Sequence, residues 1–111
     1  MSSAESMTTA FEAIAQKAWA TNRARVAELT TLIAEWRRVG ELTAEQREHA
    51  GTLAHSLRGS AGTFGHDEAS SAAGELETLL SRSGQDGQPE RFAVIIERID
   101  AALACGPVLE R

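Results

Sequence analysis

The chain has 111 residues, enough for one domain, and a formal net charge of −5 that leaves no basic surface for binding nucleic acid. Hydrophobic residues make up 42% of it but aromatic ones only 5%, which fits closely spaced helices better than a β-sandwich. The single cysteine, Cys105, excludes an intrachain disulfide, no apolar run approaches the roughly 18 residues of a membrane span, and Met1–Ser6 lacks the features of a secretion signal, so the expected setting is the cytoplasm.

Residues 1–7 are small and polar and are expected to form a flexible N-terminus, with the helical domain over 8–106 and a C-terminal tail at 107–111. From Thr8 to about Val39, Phe11, Ala15, Ala18, Asn22, Val26, Leu29, Ile33 and Trp36 recur every three or four residues, the spacing of a buried helical stripe. Asn22 interrupts that stripe and admits a break between a short first helix and a long second one. Trp19 and Trp36 read as core or core-edge packing. Gly40 ends the helix, after Arg37 and Arg38 have placed positive charge against its C-terminal dipole.

Thr43-Ala44-Glu45-Gln46 has the form of a capping box and opens the next helix, which Phe64-Gly65 closes. Asp67 is placed to cap a third helix with the stripe Ala69, Ala72, Ala73, Leu76, Leu79 and Leu80. Ser83 to Pro89 reads as a loop, and Pro89 suits the first turn of a fourth helix carrying Phe92, Ile95, Ile96, Ile99 and Leu103. Gly106-Pro107 stops that helix, and Cys105 near its end reads as a small apolar filler. No strand alternation occurs. Four amphipathic helices with short connections predict an all-α, antiparallel up-down four-helix bundle.

The most informative stretch lies on the second helix, between Ala50 and Gly65. At about 100° per residue, Ala50, Leu53, Ala54, Leu57, Ala61 and Phe64 gather on one side, while His55 shares the opposite side with Gly51, Gly59 and Gly62. Three interior helical glycines give up roughly 3 kcal/mol relative to alanine. Their common face implies close approach by another molecule to the backbone beside His55. Imidazole is a nucleophile near neutral pH, and a ring nitrogen can carry a phosphoryl group as a reactive phosphoramidate. Arg58, one turn on, can reach the same surface and stabilise phosphate charge. Ser56 and Ser60 lack a base and an acid around them and read as spectators.

His49 and His66 lie six residues before and eleven after His55, neither of them the i, i+4 pair of a helical metal site, and both are expected at the surface. No metal site is expected. There is no phosphate-binding G-x-x-x-x-G-K-[ST] loop either, so the chain is not expected to draw phosphate from ATP itself.

The run His55-Ser56-Leu57-Arg58-Gly59-Ser60-Ala61-Gly62, then Phe64-Gly65, then Leu76-Glu77 on the next helix, resembles the histidine-containing phosphotransfer (HPt) domain family. It departs at Arg58, where that family most often has lysine, which keeps the charge but changes the geometry. The resemblance implies the same bundle and a phosphorelay role. His55 would be the phosphoacceptor, through Nε2, and Arg58 would support the phosphate. Gly51, Thr52, Gly59 and Gly62 would clear the docking surface. The implied partners are response-regulator receiver domains and a hybrid histidine kinase, with Mg²⁺ supplied by the receiver and the chain itself a monomer without a cofactor. A second reading keeps the bundle without the chemistry: an unphosphorylated helical adaptor that docks a receiver domain or another partner.

Overall fold

A computed structural model describes residues 3–82 and 88–109. It contains four helices: α1 (Ser3–Val39), α2 (Ala44–Thr63), α3 (Asp67–Arg82) and α4 (Pro89–Leu103). No strand occurs among the described residues. Most of the loop expected from Ser83 to Pro89 lies outside them.

Each helix packs against its neighbours in sequence, and α4 closes the ring against α1. The cross-helix contacts run in opposite directions, which makes the bundle antiparallel. On α1 and α4, Arg37 meets Glu90 at 2.8 Å, Trp36 meets Phe92, and Trp19 Nε1 donates to the Leu103 carbonyl at 2.7 Å. The long axis of 57 Å is set by α1, whose 37 residues at about 1.5 Å each account for it. Every residue expected on the inner face of α4 is buried, as are Ala69, Ala72, Ala73, Leu76 and Leu80 on α3. Of the α2 stripe, Ala50, Leu53, Ala54, Leu57 and Ala61 are buried, and Phe64, at the helix end, is half-buried. Trp36 is in the core and Trp19 at its edge.

Asn22 does not break α1. It is fully buried, yet both ends of its amide are satisfied: Nδ2 donates to Ser60 Oγ at 3.1 Å, and Oδ1 accepts from Arg25 Nη1 at 2.7 Å. A polar residue in an apolar stripe is tolerated when its hydrogen bonds are met sideways. The helix also begins earlier than Thr8, at Ser3.

The ends of α2 follow the sequence signals. Thr43 Oγ1 accepts from the Gln46 backbone N–H at 3.0 Å, and Gln46 Oε1 accepts from the Thr43 N–H at 2.9 Å, a complete capping box. Gly65, at φ +87°, takes the left-handed turn that leads to α3. Two expectations at this turn are corrected. Asp67 is the first residue of α3 rather than its cap; His66 holds the cap position, its carbonyl accepting from the Ser70 N–H at 2.9 Å. Nor is His66 a surface residue. It is 6% exposed, because residues 106–109 fold back over the turn: Nε2–H donates to the Gly106 carbonyl at 2.9 Å, and Val108 packs against Gly65. Cys105, expected as an apolar filler, is exposed, its thiol donating to the Ala102 carbonyl at 3.3 Å.

Candidate functional site

The α2–α3 hairpin has a simple register centred on His66. Residues eleven, eight and four positions to either side of it come opposite one another: His55 with Glu77, Arg58 with Gly74, Gly62 with Ser70. An antiparallel pair with a tight turn produces this symmetry, since each helix rises equally per residue. The Gly65 turn therefore brings residue 77 to residue 55.

His55 stands on the outer face of α2 with its side chain 65% exposed. Its Nδ1–H donates to Glu77 Oε2 at 2.8 Å, and Nε2 has no hydrogen-bond partner among the described residues. The carboxylate holds the proton on Nδ1, so the lone pair of Nε2 faces outward. Arg58 Nη1 lies 3.3 Å from the other oxygen of the same carboxylate. The two residues singled out on α2 are thus joined through one residue of α3. Glu77 entered the sequence motif without a role, because a role across helices requires the hairpin register.

The glycines divide into two kinds. A Cβ at Gly51 or Gly59 would meet nothing within 4 Å, so both leave open space beside His55. A Cβ at Gly62 would sit 3.0 Å from Ser70 Oγ. Gly62 is spent on the α2–α3 contact, where Ser70 Oγ donates to the Arg58 carbonyl at 2.8 Å. Gly62 is still exposed, but the space a side chain there would take is already occupied by the α2–α3 contact. Thr52 is exposed and donates back to the Glu48 carbonyl at 3.2 Å. With Arg47, Gly51, His55, Glu77 and Leu80 it lines a shallow groove that runs from the histidine toward the start of α2.

An exposed histidine, its Nδ1–H held by a carboxylate and its other ring nitrogen unpartnered among the described residues, stands at the centre of the sequence motif in three dimensions. A family model described as the Hpt domain matches residues 13–105 of the chain. The chain belongs to the Hpt domain family. No match was found among the curated proteins or among the solved structures. The Hpt domain is a histidine phosphotransfer module of two-component systems and interacts with the receiver domains of response regulators.

Within this Hpt domain the other histidines are set apart from His55. His49 is exposed, with Nε2 3.4 Å from Glu28 Oε1, and His66 is under the tail. No group of three or more His, Cys, Asp or Glu side chains among the described residues is placed to hold a metal ion. No helix among them is long and apolar enough to cross a membrane.

Proposed function

We propose that this Hpt domain is a phosphorelay intermediate that takes a phosphoryl group from a receiver-domain aspartate onto Nε2 of His55 and passes it to a second receiver aspartate. The observation that carries this reading is the 2.8 Å bond from His55 Nδ1–H to Glu77, with Nε2 left free on an open face. In the forward step the Nε2 lone pair attacks phosphorus while the phosphorus–oxygen bond to the aspartate breaks, its electrons returning to the carboxylate. The ring becomes cationic, with its proton still on Nδ1, and Glu77 lies against that charge. Arg58 supplies positive charge next to the transferring group, and Gly51, Thr52 and Gly59 leave room for the receiver's approach. The return step reverses these bonds.

Mg²⁺ and most of the positioning that a loose phosphoryl-transfer transition state requires are assigned to the receiver. A hybrid histidine kinase is a fitting source of the phosphoryl group. The domain would act as a monomer in the cytoplasm, without a cofactor of its own.

The test is incubation with candidate phosphorylated receivers, followed by mapping of the label. Acid-labile, base-stable phosphate on His55, absent from His55→Gln, is the expected result. Label at His49 or His66 would overturn the residue assignment. Receiver binding without any labelling would leave the domain an adaptor.

A further inference from the structure

Gly74 lies in the interior of α3, where glycine is a poor helix former. Among the described residues the glycines that take a positive φ are Gly40, Gly65 and Gly106, so Gly74 is not there for an unusual backbone angle. It provides space. A Cβ on Gly74 would lie 3.3 Å from Cδ and 4.0 Å from Cγ of Arg58, and no other side chain lies within 4 Å of it. The gap on α3 is thus shaped around the aliphatic stem of one arginine of α2.

We infer that Gly74 is a positioning residue for phosphotransfer: its missing side chain is the slot through which Arg58 crosses to α3 and brings its guanidinium beside Glu77 and His55. The inference rests on the reading of His55 as phosphoacceptor. Arg58 is held at three points. Its backbone carbonyl accepts from Ser70 Oγ at 2.8 Å, and its stem lies over Gly74. One turn further along α3, Glu77 Oε1 receives its Nη1 at 3.3 Å. The arginine side chain is 51% exposed, so much of it faces solvent. A methyl group at position 74 makes the stem yield by a few tenths of an ångström. A larger side chain turns the guanidinium out toward solvent, away from the histidine.

The test is a double-mutant cycle on the full chain, with potassium phosphoramidate as phosphodonor. Nε2 of His55 takes the phosphoryl group, the donor's phosphorus–nitrogen bond breaks and ammonia leaves, so no protein partner enters the measurement. Phosphorus NMR follows formation and decay of phosphohistidine. Arg58→Ala is expected to slow formation or shorten the lifetime by about tenfold. Gly74→Leu should approach that loss and reproduce the pH profile of Arg58→Ala, with Gly74→Ala in between and neither variant melting below the parent. In the Arg58→Ala background, Gly74→Leu should add less than about twofold. An unchanged Gly74→Leu, or an equal loss with and without Arg58, overturns the inference while leaving His55 as acceptor. If Gly74→Leu does not fold, the same cycle with Gly74→Ala decides. A folded parent that phosphoramidate never labels at His55 overturns the phosphoacceptor reading first, and the inference with it.

Discussion

The carboxylate of Glu77 is shared between His55 and Arg58, and in the proposed relay it holds the proton of the first and keeps the charge of the second near the phosphoryl group. Removing it separates the two. Glu77→Ala is expected to slow transfer about tenfold, the worth of one hydrogen bond to a charged group, without change in helical content. Glu77→Gln keeps an acceptor for Nδ1–H and should recover part of the rate. Equal rates for both variants and the parent, measured with a phospho-receiver, would remove Glu77 from the mechanism. The two kinds of glycine make a second contrast. Gly59→Ala adds a methyl group in open space and should raise stability by up to about 1 kcal/mol. Gly62→Ala gains the same propensity but displaces Ser70 Oγ from the Arg58 carbonyl, and should come out about 1 kcal/mol less stable than Gly59→Ala. Urea unfolding of both variants checks the order. Gly59→Gln should fold yet transfer slowly from a receiver; failure to fold would mean that this face of α2 is turned inward.

Among the elements, the proposed relay places its chemistry on α2 and its supporting carboxylate on α3, so the ends of α2 matter most. Thr43→Ala removes the side-chain half of the capping box, the bond that Thr43 Oγ1 accepts from the Gln46 N–H, and should cost about 1 kcal/mol in urea unfolding, with phosphotransfer chemistry unaltered once folded. The closing contact between α1 and α4 responds to pH. The hydrogen bond from the Arg37 guanidinium holds the Glu90 carboxyl below its ordinary value. A depressed carboxyl adds stability above its unfolded pKa and loses it as pH falls through the lowered folded one. Glu90→Gln should therefore weaken the fold slightly at neutral pH and make no difference in strong acid. Both partners are largely exposed, so the neutral-pH loss is small and shrinks further in salt. A difference that persists unchanged into acid would contradict the assignment.

Across the whole molecule, the bundle is elongated, 57 Å along its axis against 20 and 18 Å across it. Its centre includes Phe92, 1% exposed, packed on Trp36 at 5.1 Å between ring centroids with the planes tilted by 58°. Phe92→Ala should cost about 3–5 kcal/mol, a large share of the roughly 5–15 kcal/mol that holds a small domain together. Calorimetry should show one cooperative transition moved to lower temperature. A loss under about 1 kcal/mol would mean that the ring sits in a looser contact than its burial implies.

Much of this domain was determined by local signals. The stripes of α2, α3 and α4 were legible because buried helical residues repeat every three or four positions. The Thr43 cap and the Gly65 turn were legible because each depends on residues within one turn of the chain. His55 and Arg58 could be singled out for the same reason, as neighbours on one helix. Contacts between helices were decided only in the tertiary structure. Asn22 looked like a break because its partner Ser60 lies 38 residues away. His66 looked exposed because the tail that covers it returns from 40 residues further on. The expected landing face of three glycines became two open positions and one packed one when Ser70 came opposite Gly62. Glu77 and Gly74 acquired their places in the same way, through the hairpin register about His66. A one-dimensional pattern records which face of a helix a residue occupies; what stands opposite that face depends on how far each helix slides along the next, and that is set by packing.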